Sequence, residues 1–340
     1  MNITVLGDGG WGTTLAILLD KKGYNLTLWS VFPEYARYLD KKRINVKFLP
    51  GIKIPKDIKI TSDLKDAIFN KDLIILAIPS LYLRSILRKV KLYPYPKESI
   101  FLSVIKGIEL NSLMRMSEVI KQELGNIKLG VLSGPTIAYE VARGIPTTAV
   151  VASEDKSISK FLQDIFITDK FRIYTNSDII GVELGGALKN IIAIACGIAD
   201  GLGFGTNTKS ALLTRGLVEI MRLGIKMGAK QQTFFGISGL GDMATTCMSL
   251  FSRNRFVGEQ IGRGRKLKAI IKSMKMVAEG IYTTKAGYLL SKKYKVEMPI
   301  TEEVYLVLYK NKSPLRAVKT LMLRRSKEEE VDFGAWRSLD

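Results

Sequence analysis

The chain has 340 residues, room for about two domains at roughly 100–200 residues each, and its 46% hydrophobic and 25% charged composition is that of an ordinary globular protein. Fifty-two Lys and Arg against 32 Asp and Glu give a formal charge of +20, which admits nucleic acid, an anionic membrane surface or an anionic small molecule as partner. With no histidine and only two cysteines, Cys196 and Cys247, mechanisms based on a histidine base, a histidine-ligated metal or a disulfide framework are excluded, and no metal site is expected.

The opening stretch MNITVLG reads as a strand, without the basic and apolar regions of a targeting peptide, and the sparse cysteines fit a reducing compartment. A cytoplasmic location is therefore expected. No membrane insertion is expected either, because the uncharged apolar runs are short. Strand-like runs follow at Ile3 to Leu6, Leu26 to Trp29, Ile58 to Thr61, Leu73 to Ile78, Ile100 to Val104, Leu129 to Leu132, Thr148 to Val151 and Arg172 to Thr175. Helical periodicity between several of them predicts a doubly wound α/β sheet. Beyond Ser177 strand-like runs become scarce, and 182–200, 207–228, 254–276 and 284–293 read as helices. The expected division is 1–178, a doubly wound α/β domain, and 179–340, a mainly α-helical domain. The densest basic cluster, GRGRKLK at 262–268, is short and lacks the interleaved aromatics of a single-strand binder, so nucleic acid is not the expected partner. The tail RRSKEEEVD at 324–332 reads as a solvated end.

After the first strand, VLGDGGWGTTLA leads into a helical pattern and places Gly7, Gly9 and Gly12 in a G-x-G-x-x-G array, with Gly10 and Trp11 inside it. Such glycines allow a tight turn, close approach of backbone to a pyrophosphate, and packing of helix on strand. At the end of the second strand, where an acid commonly holds the ribose 2′-hydroxyl of NAD, stand Ser30, Val31 and Phe32. NADP(H) and NAD(H) both stay open, the missing acid favouring NADPH.

In the second half, Lys189 lies in the apolar segment VELGGALKNIIAIACGIADGLG. Its ammonium either escapes to water or serves a site, and Gly185 and Gly186, one turn earlier, imply open space beside it and a close approach to the backbone. Ser252, Arg253 and Asn254 bring a hydroxyl, a guanidinium and an amide to a helix start, which is either a phosphate site or a plain capped helix. Asp242 either bonds substrate hydroxyls or caps a turn.

These blocks together resemble the NAD(P)-dependent glycerol-3-phosphate dehydrogenases of the bacterial soluble type. The matching stretches are GDGGWGTTLA (7–16), VIKGIE (104–109), LSGPTIAYEVARGIPTTAVVAS (132–153), VELGGALKNIIAIACGIADGLGFGTN (182–207), GLGDMATTC (239–247), SRNRFVGEQIGRG (252–264) and MVAEGIYTT (276–284). The resemblance implies reversible reduction of dihydroxyacetone phosphate to sn-glycerol 3-phosphate, supplying phospholipid synthesis, with Lys189 as general acid/base. It implies substrate contacts from Lys106, Gly134, Thr136, Lys189, Asp242, Ser252, Arg253 and Asn254. Beside the cofactor contacts expected at the glycine turn and the end of the second strand, Gly7, Gly9, Gly10, Gly12 and Phe32, it implies cofactor contacts from Trp11, Lys106, Ala138, Arg253, Val277 and Glu279. A homodimer is implied as well. Thr136 departs from the family's usual serine and Thr206 from its usual acid, and no basic residue stands at Ser30 to Phe32, where many relatives carry one. The rival readings are a 2- or 3-hydroxy acid dehydrogenase of the same architecture and a non-catalytic nucleotide- or nucleic-acid-binding module.

Overall fold

The computed structural model describes residues 1–274, 276–326 and 328–329, so the expected solvated tail falls partly outside them. All eight apolar runs form strands: β1 (Asn2–Leu6), β2 (Asn25–Trp29), β3 (Lys59–Thr61), β4 (Leu73–Leu76), β5 (Ile100–Ser103), β6 (Lys128–Ser133), β7 (Thr147–Ala152) and β8 (Phe171–Asn176). Alternate residues of one strand enter different cores, Ile3 and Val5 on one face of the sheet and Leu6 on the other. Covering both faces is what makes these strands read as continuous apolar runs.

One sheet holds them in the order β3-β2-β1-β4-β5-β6-β7-β8. From β1 to β6 every pair is parallel. β7 runs antiparallel to β6, pairing Val151 with Leu132, because the link between them carries only the short helix Ala138–Ala142 and a turn at Gly144 before doubling back. β8 then lies parallel to β7. The strand order reverses between β1 and β4, and at such a switch point the loops leaving the strand ends diverge to open a crevice.

After β8 the described residues form helices and loops alone. The helix Ile179–Gly201 runs through the centre of this half, its N-terminus capped by Asp178, whose Oδ1 accepts from the Gly181 N–H at 2.9 Å. Contrary to the expectation of short apolar runs, this helix is long and apolar enough to span a bilayer, yet 94% of its apolar window is buried within the protein. The helices Thr206–Lys226, Arg253–Gly262, Glu279–Lys293 and Pro299–Lys310 pack around it. A Cβ at Gly197 would overlap the Arg255 carbonyl and one at Gly258 the Ile194 carbonyl, so the central helix and Arg253–Gly262 touch backbone to backbone. That contact sets the start of the second helix beside Asn190 of the first.

The expected helix over 254–276 is broken in two, Arg253–Gly262 and Leu267–Ser273. Gly264 at φ +87° ends the first segment, and a left-handed residue cannot continue a right-handed helix. The helix expected from 284 begins earlier, at Glu279.

Two carboxylates of the helical half sit on helix N-termini of the sheet half. Glu183 accepts from the Ser117 N–H at 2.7 Å and pairs with Arg115 at 2.6 Å, at the start of Met116–Leu124. Glu279 accepts from the N–H and hydroxyl of Ser80, at 2.8 and 2.5 Å, at the start of Ser80–Val90. Negative charge at these positive helix ends ties the two halves together at two separate points.

Candidate active site

The first wall of the crevice is the glycine turn after β1. Gly7 has φ +124°, and a Cβ there would lie 2.5 Å from the Ala77 carbonyl beyond β4, so a side chain is barred twice. Gly12 packs on the Gly7 carbonyl, and Gly10 faces the Phe48 carbonyl. Gly9 differs from all three. A Cβ on it would meet nothing within 4 Å, which leaves clear space in front of the helix Gly10–Asp20. No side chain caps that helix, so its first N–H groups stay free for an anion. Trp11 adds a buried Nε1–H without a partner among the described residues. An open glycine, free helix N–H groups and an orphan donor fit a dinucleotide phosphate.

Ala138 meets this turn from the other side. Its carbonyl accepts from the Thr14 hydroxyl at 3.1 Å, and its Cβ would lie 3.7 Å from one built on Gly10. Phe32 stands apart at the end of β2, 63% exposed.

The floor of the crevice holds two lysines bridged by one acid. Lys189, 4% exposed, donates to Asp242 Oδ1 at 2.6 Å and to the Thr246 hydroxyl. Lys106 donates to Asp242 Oδ2 at 2.7 Å, to the Gly134 carbonyl at 2.7 Å and to the Thr136 hydroxyl at 3.2 Å. Burial pushes the Lys189 ammonium down from 10.5 to about 8; the charge of Lys106 adds to this and Asp242 opposes it. Lys189 therefore does not reach bulk water, as one reading of the sequence allowed.

The space expected beside Lys189 is filled by the protein. A Cβ on Gly185 would lie 2.9 Å from the Ser238 carbonyl, and one on Gly186 would strike the Ser133 hydroxyl. The partner that approaches these glycines is the protein itself. The π-helical turn Ile237–Gly241 packs there and delivers Asp242 to the lysine, and such turns often mark functional sites. Asp242 starts the next helix, but both of its carboxylate oxygens face lysines rather than a turn.

Ser252 caps its helix as the sequence implied, its Oγ accepting from the Arg255 N–H at 3.2 Å. Asn254 is buried and committed: its Nδ2 donates to Asn190 Oδ1 at 2.8 Å, and its Oδ1 accepts from the Gly280 N–H at 2.9 Å. Asn190 in turn donates to the Lys106 carbonyl at 3.3 Å. Of the three residues at this helix start, only Arg253 keeps an exposed side chain, steadied by the Val277 carbonyl at 2.6 Å. Glu279, which alone read as a surface acid, is partly buried, and burial raises its carboxyl against the opposing Ser80 hydrogen bonds.

Hydrogen bonds link Thr136, Lys106, Asp242 and Lys189, and through the Lys106 carbonyl reach Asn190, Asn254 and the Gly280 N–H next to Glu279. Sequence reasoning passed over Asn190, Thr246 and Ser80. Asn190 follows Lys189 directly and Thr246 lies one helical turn beyond Asp242, so both were within reach of a spacing argument. Ser80 carried no local signal.

Two family descriptions match this chain, the NAD-dependent glycerol-3-phosphate dehydrogenase N-terminus over residues 2–159 and C-terminus over residues 178–319. The glycerol-3-phosphate dehydrogenase [NAD(P)+] of Fusobacterium nucleatum is 49% identical over 338 residues, covering 99% of this chain and all of that one. Among solved structures, glycerol-3-phosphate dehydrogenase from Coxiella burnetii superposes with a TM-score of 0.92 at 36% identity, over 95% of this chain and 99% of that chain. The Plasmodium falciparum glycerol-3-phosphate dehydrogenase gives 0.87 at 27% identity, over 96% and 97%.

Proposed function

The chain belongs to the NAD-dependent glycerol-3-phosphate dehydrogenase family, and from that premise we propose that it reduces dihydroxyacetone phosphate reversibly to sn-glycerol 3-phosphate with a nicotinamide dinucleotide. The observation that carries the reading is the buried Lys189, lowered to about 8 and held beside Lys106 by Asp242.

The nicotinamide supplies or accepts the hydride when bound. In reduction, Lys189 Nζ gives its proton to the C2 oxygen of the substrate as hydride reaches C2, leaving the amine neutral. In oxidation the neutral amine takes the hydroxyl proton as hydride leaves. A pKa near 8 keeps both forms populated close to neutrality, which suits a group that must act in both directions. Lys106 holds positive charge against the same oxygen, and its bonds to Gly134, Thr136 and Asp242 keep it from swinging away. Asn254 and Asn190 orient the backbone around the two lysines, while Arg253 and the free N–H groups of its helix start receive the substrate phosphate. Glu279 and Val277 hold the dinucleotide side of the cleft. Residues 1–178 form the dinucleotide-binding domain and 179–340 the substrate domain in this reading, with the active chain a homodimer in the cytoplasm supplying phospholipid synthesis.

Purified protein should oxidise NADPH or NADH on addition of dihydroxyacetone phosphate and not of dihydroxyacetone. Equal rates with both would remove the phosphate site, and no oxidation with either would remove the assignment. Arg253→Ala should raise KM for dihydroxyacetone phosphate by about 10–100-fold, the worth of a charge-assisted pair, with a smaller change in kcat. An unchanged KM would place the phosphate elsewhere.

A further inference from the structure

The end of β2 carries no acid, yet a carboxylate reaches it. Asp8 lies between Gly7 and Gly9 in the turn after β1, and its Oδ2 accepts from the hydroxyl of Ser30, the residue after β2, at 2.8 Å. Ser30 is fully buried and is itself fixed, its N–H donating to the Thr61 carbonyl at 3.0 Å and its Oγ accepting from the Phe32 N–H at 3.3 Å. The Asp8 peptide is pinned from below: Asn45 Nδ2 donates to the Asp8 carbonyl at 2.7 Å and to the Thr13 hydroxyl at 2.8 Å, and Asn45 Oδ1 is held by Tyr35. Asp8 is 8% exposed, and the glycine that follows it faces open space. Burial raises its carboxyl, opposed by the Ser30 hydrogen bond, by a hydrogen bond from its own backbone N–H and by the charge of Lys47. Ser30 is the one side chain donating to it among the described residues. A buried carboxylate so thinly served gains from further hydroxyl donors and is penalised by a second anion.

We propose that Asp8 replaces the missing strand-end acid: its carboxylate receives the adenosine ribose hydroxyls of the dinucleotide and repels a 2′-phosphate, so that this chain selects NADH over NADPH. The physical ground is that an acid at the strand end bonds the free 2′-hydroxyl of NAD, whereas a 2′-phosphate requires a cation there. Lys47 is the cation whose charge acts on this carboxylate, and its Nζ is drawn 4.2 Å over the Tyr35 ring. The inference rests on the dinucleotide reading above and reverses the balance toward NADPH that the bare end of β2 implied.

The test is direct binding, by titration of the purified chain with NADH and with NADPH, followed by calorimetry or by the fluorescence of the reduced nicotinamide without substrate. The wild-type chain should bind NADH at least about tenfold more tightly than NADPH. Asp8→Asn, which keeps the shape and removes the charge, should narrow that ratio about tenfold, mostly by tightening NADPH. Asp8→Ser should narrow it further while weakening NADH. Equal or tighter NADPH binding by the wild type overturns the proposal without any variant having to fold, and so does an unchanged ratio in folded Asp8→Asn. If neither dinucleotide binds, the dinucleotide reading itself falls and takes this inference with it.

Discussion

Replacing Lys189 with alanine is expected to lower turnover by about 10²–10⁴-fold in either direction, the usual contribution of a positioned general acid or base. The dinucleotide Kd should stay within a factor of two or three, because the glycine turn lies on the far side of the crevice. Lys189→Arg separates charge from proton transfer. Arginine restores the cation beside Asp242 but stays protonated at every accessible pH, so it should not recover glycerol 3-phosphate oxidation. The wild-type pH profile gives the same information without a mutation. With a pKa of about 8, roughly one lysine in ten is neutral at pH 7, against about one in 3,000 at the ordinary value. Oxidation requires the neutral amine and should rise through about pH 8; reduction requires the ammonium and should fall through the same value. Stopped-flow hydride transfer across pH 6–10 reads both limbs. Alanine at 189 with near-normal turnover, or a profile without a limb near 8, would remove this lysine from proton transfer.

Much of this site could be read from the chain, for identifiable reasons. Each strand is a short apolar run covered on both sides, a signal that survives without knowledge of neighbours; hence all eight were found. The turn at Gly7, Gly9 and Gly12 was legible because its chemistry is local, the loop and helix start lying within one stretch of chain. Lys189 was conspicuous because a lone amine in an apolar helix needs an explanation. What the chain did not disclose depends on distant contacts. Gly185 and Gly186 proclaimed a close approach but not by what, and the answer, Ser238 and Ser133, lies far along the sequence. Glu279 looks like any surface acid until Ser80, 199 residues away, is brought onto it. The reversal of β7 was equally hidden, since a strand's periodicity carries no direction. Asp8 is hidden for a different reason: an acid at the end of β2 is expected from β2 itself, whereas this carboxylate reaches Ser30 from the turn after β1.

Asp242 is the residue whose loss should disturb the most groups at once. Its two oxygens hold Lys189 and Lys106 at 2.6 and 2.7 Å, so Asp242→Asn leaves two ammonium groups with one neutral amide between them. Removing one partner of a buried ion pair generally costs about 3–5 kcal/mol, because the remaining charge stays desolvated. Here Lys189 has a way out. Asp242 is what raises its pKa against burial and against Lys106, so without the carboxylate the amine should titrate below about 8 and relieve the strain by losing its proton. Two consequences separate this from a general loss of structure. The limb near pH 8 should move to lower pH, weakening reduction at neutrality while oxidation reaches its plateau earlier. The plateau itself should drop about 10²-fold, because neither lysine is any longer held in place and a displacement of about 1 Å is enough for a loss of that size. Measuring kcat against pH for the folded variant distinguishes the cases: a lower plateau with an unmoved limb would mean that Asp242 positions the lysines without tuning them, and a moved limb at full rate would mean the reverse.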